Sequence, residues 1–342
     1  MGYARVVSNL LLGVVSAFIA TNQAAALSNV VAQQTSIVVS APATNNPAET
    51  ELQKLMDADD AAQAEVDVWI KENQKFAEQG AGVPNAELNA RILKRFELVR
   101  NGYKDYLKRH TNSASGHVAY ASFLGDIRDE EGAMEQLELA RAIDPKDPAV
   151  WNNLANIYGH IGEVTNAFIY YAKAIELDPS EPVYYHNFGT TVFLFRKDAR
   201  EHYGINEQQV FDKALELYDK AMKLSPDDFL LATDVAKTYY GIRPPRTEAA
   251  LNSWTNAFKL ARDAEEREGV QLHLARIKMH ADRFAEASAH LSAVTNSSYT
   301  ELKTRLTRVL KDLESAKSGD TNAAPVEAKA PVEKPKESSS AK

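Results

Sequence analysis

Apolar and small residues recur along the middle of the chain at the spacing of paired α-helices. Helix-length stretches between residues 114 and 297 carry apolar side chains three or four positions apart, as helices with one buried face do. One set of small, apolar and proline positions returns 34 residues later and then again after 47: Ala133, Leu137, Ala140 and Pro145; Ala167, Tyr171, Ala174 and Pro179; Ala214, Tyr218, Ala221 and Pro226. A 34-residue period predicts stacked helix-turn-helix units.

The clearest unit is 148–181, where the small residues and the aromatic residues fall at fixed offsets. These positions are Trp151, Leu154, Ala155, Tyr158, Gly162, Ala167, Tyr171, Ala174 and Pro179. The unit resembles the tetratricopeptide repeat, and the resemblance extends over about 200 residues. It implies an all-α fold, a right-handed α-solenoid of stacked helix pairs. Ala155 and Ala167 are small because the two helices of a pair cross closely there.

Helical segments flank the repeats on both sides. We predict five repeats in 114–297, preceded in 84–113 by a helix that is either an N-terminal cap or part of a degenerate repeat. Residues 298–315 form a C-terminal capping helix, which a solenoid needs to cover its last apolar face. An acidic helical segment occupies 49–83.

The two ends of the chain have different compositions from the middle. Residues 1–26 carry Arg5, then a mostly apolar stretch, then three alanines at 24–26, which is typical of a cleaved secretory signal peptide. Residues 27–48 lack a helical period, and 316–342 have almost no large apolar residue. We therefore expect a disordered linker and a disordered tail.

The chain contains no cysteine, which excludes disulfides, thiolate metal sites and cysteine nucleophiles. An exported protein without cysteine fits a bacterial envelope compartment, so we expect a periplasmic, envelope-associated or secreted member of the exported bacterial type. The alternative is an uncleaved N-terminal membrane anchor. After signal cleavage no stable transmembrane span is expected, because the apolar stretch is shorter than a bilayer requires.

Charge and motifs favour a binding function over catalysis or nucleic-acid recognition. The net charge of −8 argues against a nucleic-acid partner, since phosphate binding requires a basic surface. No hydrolase, zinc-protease or phosphate-loop motif is present, so we expect no enzyme and no cofactor. His273 and His280 share a helical face but are about 10 Å apart in helix rise, so no metal site is predicted either.

The resemblance also implies a ligand groove lined by the first helix of each repeat. The candidate groove residues are Asn153, Asn156, Asn187, Thr190, Asp234, Lys237, Arg276, His160, Phe193 and Tyr240. Asn153 and Asn187 occupy the same position in successive repeats and resemble an asparagine ladder, in which each amide donates to and accepts from the backbone of an extended peptide. The alternative is that these asparagines belong to a solvated helix face.

The same groove positions bear on two other kinds of ligand, a peptide carboxylate and an apolar group or sugar. A clamp for a peptide carboxylate requires basic side chains, but Ala119 and Ala149 occupy the positions where they would stand. Phe193 and Tyr240 are candidates for an apolar pocket or a sugar platform, although core packing is the alternative for both. The leading hypothesis is a non-catalytic scaffold or adaptor that binds a protein or peptide during complex assembly. The alternatives are a polysaccharide-binding accessory of export machinery and an unrecognised enzyme.

Thirteen additional residues separate the two helices of the third repeat, because Ala214 stands where the period places residue 201. Gly204 predicts a helix end in the left-handed conformation, and Asn206 with Gln209 predicts a capping box. We therefore predict that one long helix continues to Tyr203, so that 195–211 form a helical hairpin spur projecting from the repeats.

Overall fold

The computed structural model describes residues 5–7, 37–39 and 46–318, which include fourteen α-helices and two short strands. They are β1 (Arg5–Val7), β2 (Ile37–Val39), α1 (Pro47–Glu78), α2 (Asn85–Arg109), α3 (Ala114–Asp126), α4 (Glu130–Ile143), α5 (Pro148–Ile161), α6 (Val164–Leu177), α7 (Pro182–Leu194), α8 (Arg196–Tyr203), α9 (Glu207–Leu224), α10 (Phe229–Thr238), α11 (Thr247–Leu260), α12 (Ala264–His280), α13 (Phe284–Ser292) and α14 (Thr300–Ser318). The predicted all-α class of stacked helix pairs is confirmed. The chain divides into two compact units between Leu231 and Ala232.

The first unit begins with a helix pair that precedes the repeats. α1 packs on α2 through an apolar stripe that includes the fully buried Leu52 and Val66. The Tyr103 hydroxyl of α2 donates a hydrogen bond to the Asp59 carboxylate of α1 (3.2 Å), so the one buried acid on this stripe has a partner. Thus α1 docks on the unit instead of extending into solvent.

Three helix pairs follow: α3 with α4, α5 with α6, and α7 with α9. The small residues predicted at their crossings are buried; Ala155 and Ala167 have no exposed surface. Gly189 of α7 is an extreme case, because a Cβ there would meet the Tyr218 ring of α9 at 3.0 Å. The backbones therefore approach more closely than larger side chains would allow.

The insertion in the third repeat differs from the predicted spur. The left-handed Gly204 (φ 64°) and the capping box of Asn206 and Gln209 are present as predicted. However, the preceding helix is not continuous: α7 ends at Leu194, and Phe195 (φ −100°, ψ 52°) breaks it before α8 begins. The prediction of one long helix is therefore wrong.

The break turns α8 toward the neighbouring repeat, where it packs on α6 as well as on α7 and α9. The Tyr203 ring lies 5.6 Å from the Phe168 ring of α6, and Ala199 is fully buried. Apolar burial holds α8 against the stack. Lys197 and Arg200 remain on its exposed side, whereas the exposed His202 still places its ring 5.4 Å from the Phe168 ring.

Two strands occur at the start of the chain, where only a signal peptide and a linker were predicted. β1 and β2 pair antiparallel, with Arg5 opposite Val39 and Val7 opposite Ile37. β2 therefore lies within the predicted linker 27–48, and α1 begins before that linker was expected to end. The rest of the predicted signal peptide and linker, and the predicted tail beyond residue 318, lie outside the described residues.

The second unit contains most of α10 and all of α11–α14. α11 packs on α12, and α12 packs on α13. The last helix, α14, covers this pair with the buried Leu306 and Leu310, as expected of a capping helix. None of the helices in the described part of the chain is both long and apolar enough to cross a bilayer.

The turns between paired helices contain a backbone position that we expect to affect stability. Gly162 has φ 90° in the second repeat, whereas Arg128 has φ 66° at the same position of the first. Nothing lies within 4 Å of a Cβ built on Gly162, so Gly162→Ala introduces only conformational strain. We expect it to lower the free energy of unfolding by about 1 kcal/mol, because L residues rarely adopt this region.

Arg128→Gly provides the reciprocal control in the adjacent repeat. We expect it to raise the free energy of unfolding slightly, by a few tenths to about 1 kcal/mol, because strain is relieved while unfolded-state entropy increases. Urea denaturation followed by circular dichroism measures both variants. Equal effects of the two substitutions would contradict this account of the turn.

The docking of α8 gives a second prediction. Tyr203→Ala removes the ring that covers Phe168, and we expect a loss of about 2 kcal/mol because the side chain is half-buried. Arg200→Ala, three residues away on the exposed side, should change stability by less than about 0.5 kcal/mol. Equal stabilities of the two variants in urea denaturation would indicate that α8 does not stabilise the stack.

Candidate functional site

Amide side chains of the first unit form a hydrogen-bonded chain across two successive first helices. Asn187 of α7 donates from Nδ2 to Oδ1 of Asn152 on α5 (3.1 Å). Asn152 in turn donates to Oδ1 of its neighbour Asn153 (3.0 Å). All three have no exposed surface. The two predicted ladder residues are therefore brought together, with Asn152 as the link between them.

A second layer of hydroxyl groups supports these amides. The Tyr171 hydroxyl of α6 donates to Oδ1 of Asn156 (2.6 Å), and Thr191 donates to the Tyr171 oxygen (3.2 Å). Thr190 shares a hydrogen bond with the Tyr218 hydroxyl (3.0 Å). Burial raises the pKa of Tyr171, so its hydroxyl stays protonated and available as a donor. The candidate residues Asn156 and Thr190 are thus held in place from the second helices.

The first helices of this unit are buried on all sides, whereas the second helices are buried along one stripe. α3 buries nine consecutive residues, from Gly116 to Leu124. α4 buries only Ala133, Leu137 and Ala140. A helix with no exposed face lies inside the structure. The alternative that Asn153 and Asn187 stand on a solvated helix face therefore does not hold.

β2 lies against this face. Its Cα atoms are within 8 Å of Cα atoms in both α3 and α5, so the strand runs across two successive first helices. Ser122 of α3 and Asn156 of α5 are only 5% and 2% exposed. An extended segment of the same chain therefore lies beside two successive first helices of the first unit.

The candidate residues of the second unit form a separate, more exposed cluster. The Tyr240 hydroxyl is 2.9 Å from Nδ1 of His273, whose ring stacks on Trp254 at 4.0 Å. The Arg276 guanidinium lies 4.7 Å from the centre of the Tyr240 ring. Burial, together with the charges of Lys237 and Arg276, lowers the pKa of His273 from 6.5 to about 4.

The remaining candidates have local packing partners. Lys237 forms an ion pair with Asp234 (2.9 Å), and Nδ1 of His160 lies 3.8 Å from a Glu130 carboxylate oxygen. Phe193 packs on the Phe211 ring at 6.1 Å. Tyr240 also packs within its own cluster, so both candidate platform rings have packing partners.

Comparison with known proteins gives the same helix-pair repeat as the structure. A family model described as tetratricopeptide repeat matches residues 148–181, the helix pair α5 and α6. Residues 148–181 therefore form a tetratricopeptide repeat. The photosystem I assembly protein Ycf3 of Cyanophora paradoxa is 28% identical over 155 residues, which cover 45% of this chain and 84% of that protein.

Solved structures share the tetratricopeptide fold at low sequence identity. PilW, described as a widely conserved type IV pilus biogenesis factor, aligns with a TM-score of 0.50 and 12% identity, over 72% of this chain and 98% of its own. Pseudomonas aeruginosa pilF gives a TM-score of 0.47 and 16% identity, over 73% and 99%. At this identity the similarity to PilW concerns the fold alone.

Three residues of the tetratricopeptide grooves were not predicted from the sequence. Asn152 precedes a predicted ladder residue, and the adjacent pair of asparagines was the available signal. Thr191 similarly follows the predicted Thr190. The ring of Trp254, on the second helix of its repeat, is the stacking partner of His273. Trp254 and His273 lie on helices of successive repeats. Whether their rings stack depends on how those helices are rotated relative to each other, and the spacing of residues along the sequence does not specify that rotation.

The environment of His273 gives a pH prediction. We expect its imidazole protons to titrate near pH 4 in NMR spectra, because burial and two nearby cations disfavour the charged ring. A depressed folded-state pKa means that stability is fully present above about pH 6.5 and is lost as pH falls toward 4. The His273→Phe variant keeps a stacking ring and should reduce this loss.

Lys237→Gln is the control for the electrostatic contribution. Removing one cation should move the His273 titration upward while the larger contribution from burial remains. A His273 pKa near its ordinary value in the folded protein would contradict the burial seen in the structure.

Proposed function

We propose that this tetratricopeptide protein is a non-catalytic adaptor that binds a segment of a partner protein, in extended form, along the first helices of its first unit. The observation that carries the proposal is the chain of amides from Asn187 through Asn152 to Asn153, which crosses α5 and α7. Its members belong to two successive repeats. An extended peptide running across both helices would meet amides of both repeats.

The chemistry of these amides suits a peptide backbone. Each amide offers two donor hydrogens and an acceptor oxygen, so it matches the alternating N–H and C=O groups of a strand. In a buried groove such hydrogen bonds are stronger than in water, and any group left unpaired is costly. A partner is therefore selected by its ability to present an extended backbone.

The absence of basic residues at two clamp positions narrows the partner further. Ala119 and Ala149 are buried at 2% and 1% exposure, so neither position offers a cation to a terminal carboxylate. Burying an unpaired carboxylate there would be unfavourable. The groove of the first unit suits an internal segment of a partner.

Complex assembly is the process that we propose for this binding. Its support is the 28% identical relative, which is named as an assembly protein. The signal-like sequence of residues 1–26 supports an exported, envelope-associated location, where the partner would be encountered. We propose no catalytic step, because binding accounts for the groove residues.

Photo-crosslinking in the producing cells tests the proposal. A photoreactive residue replaces His160, which lies at the end of α5, or the 51% exposed Ile169 on the second helix α6. We expect capture of one discrete partner from position 160 and its absence from position 169. Asn153→Ala with Asn187→Ala should reduce this capture about tenfold, equivalent to about 1.4 kcal/mol of lost hydrogen bonding.

Asn101→Ala with Asn252→Ala is the matched control, because both of these asparagines are exposed on helices. It removes the same number of amides, two, from outside the groove and should leave capture unchanged. Circular dichroism and urea denaturation of both double variants identify the temperature at which each is folded, and capture is compared there. Equal capture by the groove variant and the wild type would overturn the proposal.

A further inference from the structure

The groove of the first unit is already occupied by a strand of the same chain. β2 approaches both α3 and α5, and three groove residues of these helices, Ser122, Asn153 and Asn156, are at most 5% exposed. The contrast with the second unit is direct: there Lys237 and Arg276, at equivalent repeat positions, are exposed. A covered groove cannot accept a second extended segment along the same helices.

β2 has the properties that the groove selects. Its backbone is extended, and its sequence Ile-Val-Val consists of β-branched residues with high strand propensity. It is an internal segment, consistent with buried alanines at the two clamp positions. β2 thus matches the partner chemistry deduced above for an external ligand.

The connection to α1 keeps this segment close to the groove. Seven residues, 40–46, join the end of β2 to the beginning of α1 at Pro47. Even fully extended they span only about 25 Å. α1 in turn packs against α2 and α3, so the tether is anchored beside the groove. A short tether gives a local concentration on the order of millimolar.

We propose that the segment Ile37–Val39 is an intramolecular ligand of the groove, which an external extended peptide must displace in order to bind. The proposal rests on the proposed function of the groove and adds its regulation. By occupying the groove, Ile37–Val39 prevents extended peptides of low affinity from binding there. A partner binds when its own affinity exceeds the advantage that the tether gives β2.

The location of the segment can be tested by cross-linking, because the chain has no cysteine of its own. The full-length pair Val38→Cys and Ser122→Cys joins β2 to α3, and the pair Val38→Cys and Ile169→Cys joins it to the exposed side of α6. A short bifunctional maleimide should cross-link the first pair within one molecule and not the second. Equal cross-linking of the two pairs, or of neither, would overturn the proposal.

Competition tests the regulatory part. A fluorescent synthetic peptide with the sequence of residues 33–43 is titrated into the full-length protein and into a variant with glycine at positions 37, 38 and 39. If the segment occupies the groove about nine-tenths of the time, the wild type should bind the peptide about tenfold more weakly than the variant. Glycine at positions 330, 331 and 332 of the tail is the control and should bind as the wild type does.

Two further measurements separate this inference from the proposed function. In the triple-glycine background, Asn153→Ala with Asn187→Ala should abolish peptide binding, which places the peptide in the groove. Equal affinities of the wild type and the triple-glycine variant would overturn the intramolecular ligand. Partner capture from position 160 would still support the proposed function in that case. If the triple-glycine variant binds the peptide more tightly than the wild type but no partner is captured from position 160, the intramolecular ligand is supported and the adaptor function is rejected.

Discussion

The close crossing of paired helices at alanine and glycine is the constraint on which the rest of the structure depends. Ala155, Ala167 and Gly189 bring the backbones together, because no larger side chain fits between them. Close crossing also fixes which residues of each first helix face the groove. The asparagines of successive repeats then fall near enough to bond to one another. The recognition chemistry is therefore a consequence of helix packing.

Because these amides are buried, their hydrogen bonds contribute strongly to the structure of the groove. An exposed asparagine exchanges one set of hydrogen bonds with water for another at little gain, whereas a buried one requires a partner. Asn152, Asn153 and Asn187 satisfy part of this requirement among themselves, and Tyr171 satisfies Asn156. The hydroxyls from the second helices hold the amides in fixed orientations. A preorganised groove of this kind loses little entropy when an extended segment binds.

Local signals in the sequence predicted the repeats and several of their details. The 34-residue period identified the helix pairs, and Gly204 with Asn206 identified a turn that the structure contains. Contacts between distant residues were not predictable in this way. The break at Phe195 accompanies the docking of Tyr203 on Phe168, and β2 is identified by its position against α3 and α5. Both depend on surfaces that exist only after the repeats have stacked.

The docking of α8 also limits how freely the repeats can be exchanged. In a regular array, each repeat presents the same outer surface, so one copy can replace another. Here the second repeat carries Phe168, which α8 of the third repeat covers. Transplanting either repeat alone would expose that ring or leave α8 without its contact surface. The second and third repeats therefore form a single structural unit. Natural or designed recombination would have to move them together.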